Sequence, residues 1–499
     1  MNARTTALAA ATGLALSLSL IPVPLSAGVA LPITPDGFFA DWKSTAPADT
    51  DPEGDVPAGS IDLGRLFIAN DDEALYVRFE VGRETLLQNG PGEAAGNSLR
   101  LLLDLDDSIA SGSPIEGLGA EIEIRFGSRE FYVFDPAGAI TLWTPEPLGI
   151  TGLPTHSSNE FEVRIPFAAA QSQTIADHLT SGGSLSLVLQ QANGDRQPDT
   201  GILSYAISTA TVKPVKPIKL PKKRAKFFRL MTMNVERTNI SREQDVFTRI
   251  LQATTPEIIA FQEVYEWTAE QTRRFVEDAL PLESGRRWEA FQVEDTVTAS
   301  SYPIIAGAGV DDNHVVHIDL PDEKTTHDLV LFNAHTPCCG NNAQRDDEHD
   351  NLMVVWRDLL EDRGPFPIQF KDVAIITGDL NMVGYRRQLD VLLRGTFINP
   401  NNGQDFSPGR AKGSFKSAKL RHAHRRAIHT WRRDSSDFTP GKLDFVIYSK
   451  DVARLKRNYV LDTTEMPDEI LQLHGLERTD SLVASDHLAM VADFKIKKK

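Results

Sequence analysis

Between residues 31 and 210 apolar and polar positions alternate with a period of two. The stretch Ala74 to Val81 (ALYVRFEV) is one such run. Ser98–Asp104, Ala120–Phe126, Glu130–Phe134, Phe161–Ile165 and Ser184–Gln190 are others. Successive side chains of a strand point to opposite faces, so the alternation predicts half-buried strands. Clusters of Gly, Pro, Asn and Asp separate the runs, which indicates an all-β sandwich. From Phe227 the pattern changes. Apolar runs at Phe228–Met233, Glu257–Phe261, Leu329–Asn333, Val373–Thr377, Leu443–Ser449 and Leu488–Phe494 read as strands. Gln244–Ala253, Glu270–Leu280 and Asn351–Asp362 read as helices between them. That alternation predicts a layered α/β domain. No internal repeat, P-loop, GxSxG elbow or HExxH helix interrupts it.

The 499 residues carry a formal net charge of −17 and are 41% hydrophobic. These figures describe folded, soluble material and argue against a bulk electrostatic coat for nucleic acid. The charge is unevenly placed. Residues 31–210 hold nine Lys and Arg against 27 Asp and Glu, whereas residues 211–226 (TVKPVKPIKLPKKRAK) hold seven bases and no acid. Prolines interleaved with bases predict an extended, semi-rigid linker. The alternative is a basic strip touching an anionic polymer or membrane surface. The first 30 residues contain no acid, one early base at Arg4, and an apolar run from Ala7 to Leu20 ended by proline. This is the layout of a signal peptide, cleaved after Ala27 or Ala30, and it predicts a secreted or periplasmic protein. The run is short of the ~20 apolar residues that a membrane span needs. The expected division is thus 1–30, 31–210, 211–226 and 227–499.

Polar residues stand where the later strands end. Asn234 follows RLMTM, Glu263 follows EIIAFQ, and His335 follows LVLFNA. Asp379 and Asn381 follow VAIITG, Asp444 lies in GKLDFVIYS, and Asp486-His487 precede LAMVADF. Each is unremarkable as a lone cap or turn residue. As a set they can project from one edge of a buried sheet, and the set suits metal-assisted attack on a phosphate ester. Mg²⁺ takes oxygen ligands and keeps several waters, so one or two carboxylates suffice. Histidine moves a proton near neutral pH, and a carboxylate behind it fixes its tautomer.

The segments MNVERTN, PEIIAFQEV, FNAHTP, GDLNMV, KLDFVIYS and SDHLAMV resemble, in order, the motifs of the endonuclease/exonuclease/phosphatase (deoxyribonuclease-I-like) superfamily, over about Phe227 to Phe494. The resemblance implies a four-layer α/β sandwich and divalent-metal-dependent cleavage of phosphoester bonds, with Mg²⁺ or Mn²⁺ as cofactor. It implies that Glu263 binds the metal with Asn234 beside it, and that Asp486 lies near the metal. Asp379 would orient or activate water and Asn381 would contact the scissile phosphate. His487, oriented by Asp444, would be the terminal catalytic histidine, and His335 would stabilise the transition state or protonate the leaving group.

The chain departs from the family where Ser300-Ser301-Tyr302-Pro303 stands for Ser-Arg-Tyr-Pro, which removes one expected anion contact. The segment Arg410 to Arg433 offers replacements. It holds nine Lys and Arg with Trp431, and Arg425, Arg426 and Trp431 are the expected substrate contacts. Cys338-Cys339 reads as a vicinal bridge, a free thiol pair, a soft-metal site or a redox switch. In the N-terminal part, DGFFADW, ANDDEALYVRFEV and LLLDLDD resemble a family-nine-type carbohydrate-binding sandwich, which implies a glycan partner. Asp104, Asp106 and Asp107 can either hold a structural Ca²⁺ or form a solvated turn.

The sequence thus predicts an exported metal-dependent phosphoesterase, with extracellular DNA or RNA as the favoured substrate. The alternatives are a phosphomonoesterase or a sphingomyelinase-like phospholipid phosphodiesterase and, from another class, a non-catalytic secreted glycan-binding protein. Oligomeric state is left open.

Overall fold

A computed structural model describes residues 28–90, 97–192, 194–222, 224–409 and 413–497. The apolar run of the expected signal peptide and residues 410–412 of the basic 410–433 segment lie outside the described residues. No helix among the described residues is long and apolar enough to cross a membrane.

The N-terminal part is β-rich and forms two packed antiparallel sheets. One has five strands, ordered Asp49–Thr50, Arg65–Asn70, Ala74–Thr85, Ser158–Pro166 and Thr151–Leu153. The other has seven, with Ser184–Gln191, Leu99–Asp104, Ile122–Arg125 and Glu130–Phe134 at its centre. The predicted alternation is what joins them. Leu75, Val77, Phe79 and Val81 share one core with Leu99, Leu101, Leu103, Leu185, Leu187 and Leu189. The acidic turn differs from expectation. Asp107 accepts from Ser184 Oγ at 2.8 Å and Ser186 Oγ at 2.7 Å, and the group that gathers with Asp104 and Asp106 is Glu121.

The segment 211–226 contains no helix or strand among its described residues, and it is pinned to the C-terminal part. Ile218 N donates to Ala423 O at 2.8 Å, and Tyr459 Oη to Leu220 O at 3.1 Å. Arg229 Nη1 donates to Leu220 O at 2.7 Å while its Nε donates to Asp493 at 2.6 Å, a fully buried pair.

The C-terminal part packs two six-stranded sheets face to face. The first runs Glu289–Val293, Thr296–Ser300, Ile258–Gln262, Phe228–Asn234, Met490–Ile496, Ala453–Val460. The second runs Ile304–Val310, Asn313–Ile318, Leu329–His335, Val373–Asp379, Asp444–Tyr448, Lys416–Ser417. Each has a parallel pair at its centre. Phe228 and Leu230 face the other sheet, joining Leu331, Ile375 and Val446. Met231 and Met233 face outward onto the helices Gln244–Thr254 and Ala269–Ala279. The helices Asn342–Leu360 and Arg386–Arg394 cover the second sheet. The result is the expected four-layer sandwich.

Along Phe228–Asn234 the inward positions change from Phe228 and Leu230 to Thr232 and Asn234. The space between the sheets is therefore apolar at one end and polar at the other. Near the polar end Gln262 Nε2 donates to Asn333 Oδ1 at 2.7 Å, and Asn333 Nδ2 to Phe261 O at 3.1 Å. Buried polar groups keep their place only when paired, so these amides fix the sheet ends against each other.

Candidate active site

The strand ends bring seven of the expected residues to that polar edge. Asp379 is at its centre and is 2% exposed. Its Oδ2 accepts from Asn234 Nδ2 and from Asn381 Nδ2, both at 3.1 Å, and its Oδ1 accepts from Asn381 N at 3.0 Å. Asn234 Nδ2 also reaches Glu263 Oε1 at 3.0 Å. Asn381 has φ of 41° and Glu263 of 61°. A left-handed backbone is unfavourable for side-chain-bearing residues and persists where its surroundings enforce it. Here it turns both side chains into the cleft as their strands end.

Two histidines flank Asp379, each backed by a carboxylate. His487 Nδ1 is 2.9 Å from Asp444 Oδ2, and its Nε2 is 3.6 Å from Asp379 Oδ2. His335 Nδ1 is 2.6 Å from Asp295 Oδ2, and its Nε2 is 3.8 Å from both Asp379 Oδ2 and Glu263 Oε1. A carboxylate on Nδ1 assigns that nitrogen its proton and aims Nε2 at the cleft. Burial opposes the charge on His335. The Asp295 hydrogen bond and the charges of Asp379, Asp295 and Glu263 outweigh it and raise the imidazole to about 9. Burial likewise opposes charge on His487, and Asp444 and Asp379 overturn it. Asp444 is placed by register, directly across from Asp379 in the second sheet, and its N–H is held by Thr430 Oγ1 at 3.0 Å.

Asp295 was not anticipated from sequence. It sits in the tight turn between Glu289–Val293 and Thr296–Ser300, and it also accepts from Glu263 N at 3.0 Å. The only trace in sequence is an acid between two strands whose polar residues, Thr296 and Thr298, face inward. Asn313 was also missed; its Oδ1 accepts from His335 N at 2.7 Å.

Asp486 lines the same cleft as Glu263. Its Oδ2 accepts from Trp431 Nε1 and pairs with Arg433 Nη2, both at 2.9 Å. Asn381 Nδ2 donates to Thr336 O at 2.8 Å and to Asp379 Oδ2 at 3.1 Å, so the amide clamps Asp379. Arg425 and Arg426 do not line the cleft: Arg425 pairs with Glu465 at 3.1 Å, and Arg426 donates to Lys213 O in the linker. Trp431 does line it, together with Arg433 from the end of the same segment and the unforeseen Arg237. Ser301 lies at the opposite end of its sheet, since Ser300 is across from Ile258 while Glu263 follows Gln262. The lost arginine therefore removes nothing from the cleft. Cys338 and Cys339 are free thiols on the cleft wall.

The cleft encloses about 1140 Å³. One wall comes from the N-terminal sandwich, through Leu87, Gln88, Gly152, Pro154 and Thr155. The two parts are joined by directed bonds. Gln88 Oε1 accepts from Thr439 Oγ1 at 2.8 Å, Ser157 N donates to Gly384 O at 2.8 Å, and Arg386 N donates to Ser157 Oγ at 2.9 Å.

Fold and site together define a phosphoester hydrolase. Residues 231–487 match the endonuclease/exonuclease/phosphatase family, and the chain belongs to that family. Among solved structures it is similar to the human Nocturnin catalytic domain with bound sulfate, at 13% identity over 55% of this chain and 95% of that one (TM-score 0.35). It is similar to D. rerio TDP2 complexed with single-strand DNA product, at 13% identity over 54% and 99% (TM-score 0.34). The Bacteroides thetaiotaomicron mannosyl-6-phosphatase Bt3783 is 18% identical over 54% and 99% (TM-score 0.34). No curated protein matches the chain.

Proposed function

We propose that the chain is an exported, divalent-metal-dependent phosphoesterase acting on small or unpaired phosphoesters that enter a walled cleft. The observation that carries the reading is Asp379 clamped by two amides between two carboxylate-backed histidines. The oxygens of Glu263 and Asp379 that converge on the Asn234 amide fit a hard cation, which needs few protein carboxylates. Glu263 is the residue that would hold Mg²⁺ or Mn²⁺, with Asp379 and Asn234 beside it. When bound, the ion supplies Lewis-acid stabilisation of phosphoryl charge. Asp379 orients a water and takes its proton as the water oxygen bonds to phosphorus and the phosphorus–leaving-oxygen bond breaks. The Nε2–H groups of His335 and His487 face the phosphoryl oxygens, and one of these protons passes to the leaving oxygen. Preorganised donors of this kind are worth about 10²–10³ in rate each.

The substrate class follows from the cleft. Its volume lies just above the roughly 300–1,000 Å³ of small-molecule sites. Beyond the reacting groups its lining includes Glu236, Glu294, Asp312, Glu348 and Asp486 against Arg237 and Arg433. That balance repels a long polyanion. Arg425 and Arg426, the bases expected to contact extracellular DNA or RNA, are engaged elsewhere. Tyr265, Trp431 and Phe438 on the lining suit a stacked base or sugar carrying one phosphate. The test is a panel of plasmid, short single-stranded RNA, sphingomyelin and sugar or inositol phosphates, each with and without chelator. Chelator-sensitive turnover of a short strand or small phosphoester, with plasmid left intact, supports the reading. Fast plasmid nicking, or turnover indifferent to chelator, removes it. Export rests on residues 1–30, and N-terminal sequencing of protein recovered outside the cytoplasm checks it.

A further inference from the structure

A second group of carboxylates gathers on the N-terminal sandwich, contributed by two loops. Asp51 and Asp55 follow the strand Asp49–Thr50. Asp195 and Asp199 flank the short strand Arg196–Gln197. One oxygen from each lies within 4.8 Å of the others. The backbone holds them there: Asp51 N donates to Gly64 O at 3.0 Å, and Asp195 accepts from Leu63 N at 2.5 Å and Arg196 N at 2.7 Å. Among the described residues no Lys or Arg pairs with any of the four.

Asp51 is the informative member. It is 4% exposed, and neither of its oxygens has a hydrogen-bond partner. A buried carboxylate without a donor is costly, and three like charges beside it raise the cost. An ion at the centre resolves both. Oxygens 2.3–2.6 Å from one Ca²⁺ can be at most about 5 Å apart, which is the spread found here. Asp55 and Asp199 are exposed, so the group opens to solvent on one side. That leaves room for the waters that complete six to eight ligands.

We propose that Asp51, Asp55, Asp195 and Asp199 form a Ca²⁺ site that fastens the 51–64 loop to the 195–199 turn. Ca²⁺ is preferred to Mg²⁺ because four carboxylates from two loops suit a large, irregular coordination sphere, whereas Mg²⁺ demands near-ideal octahedral geometry. The site is independent of the catalytic metal and of the substrate assignment.

The experiment uses the full chain with Glu263→Gln, which removes the proposed catalytic ligand. Ca²⁺ is titrated calorimetrically after chelation, and the same titration is run on a chain that also carries Asp55→Asn and Asp199→Asn. Both added changes are at exposed positions, so folding is retained. The expected result is one Ca²⁺ bound by the first chain and at least a tenfold loss of affinity in the second. Proteolysis within 51–64 should be suppressed by Ca²⁺ in the first chain only. Absence of Ca²⁺ binding by the Glu263→Gln chain, or binding unchanged by the two asparagines, would overturn the proposal.

Discussion

The two histidines of the cleft are backed in different ways. Asp444, behind His487, begins a central strand, is 1% exposed, and is fixed by sheet register opposite Asp379. Asp295, behind His335, sits in a hairpin turn and divides its oxygen between the imidazole and the Glu263 backbone. The first pair is a rigid part of the sheet. The second couples a histidine to the residue proposed to hold the metal. One site therefore contains a fixed half and a linked half, and both face the same oxygen of Asp379.

Asp379→Asn removes what the halves share and should have the largest effect. Turnover should fall by up to about 10⁴-fold, and thermal unfolding should come earlier as well, because both oxygens accept N–H bonds and either orientation of the amide sets an NH₂ against a donor. Retention of near-normal turnover would remove Asp379 from the mechanism. Asp444→Asn tests the fixed half. An amide that donates to Nδ1 leaves His487 a neutral ring with its single proton on Nε2, so the positive charge that makes that proton acidic is lost. Single-turnover rates should fall about 10²–10³-fold, with metal affinity unchanged.

Asp295→Asn tests the linked half and sharpens the contrast. A supporting carboxylate of this kind is worth about 10–100-fold. Its signature should be a joint loss of rate and metal affinity, since His335 and the Glu263 backbone lose the charged oxygen they share. Asp295→Glu should restore part of each. Equal metal affinity in the Asp295→Asn and Asp444→Asn chains would erase the distinction between the halves.

The two halves also differed in how far they could be read from sequence. Asp444, His487, Asp379 and His335 each adjoin an apolar strand, so their positions followed from the period-two pattern and the motif order. Asp295 precedes a strand, Thr296–Ser300, whose inward residues include Thr296 and Thr298, so hydropathy gives no strand there and hence no strand end. The helix Asn342–Leu360 was expected to begin at Asn351 for the same reason. Its first turns bury Arg345, Asp346 and His349 rather than apolar groups. Arg345 Nη2 donates to Cys339 O at 3.0 Å and so supports the cleft wall. Patterning by hydrophobicity finds cores, and it fails where the buried surface is polar and paired. The placement of Arg425 and Arg426 fails for another reason: local basic density says nothing about which acids, here Glu465, lie next to it in space.

The smallest expected effect lies outside both halves, on the wall lent by the N-terminal sandwich. Gln88 touches neither histidine, yet its Oε1 accepts from Thr439 N at 3.1 Å and Thr439 Oγ1 at 2.8 Å across the cleft rim. Gln88→Ala removes that tie while leaving Asp379 and its neighbours in place. A hydrogen bond of this kind contributes about 1 kcal/mol, or roughly fivefold in an equilibrium constant. KM for a small phosphoester should therefore rise about fivefold while kcat holds. The same loosening should admit longer strands more readily, so the ratio of kcat/KM between a long and a short single strand should move toward the long one. An unchanged ratio would mean that the N-terminal wall stands beside the reaction without selecting for it.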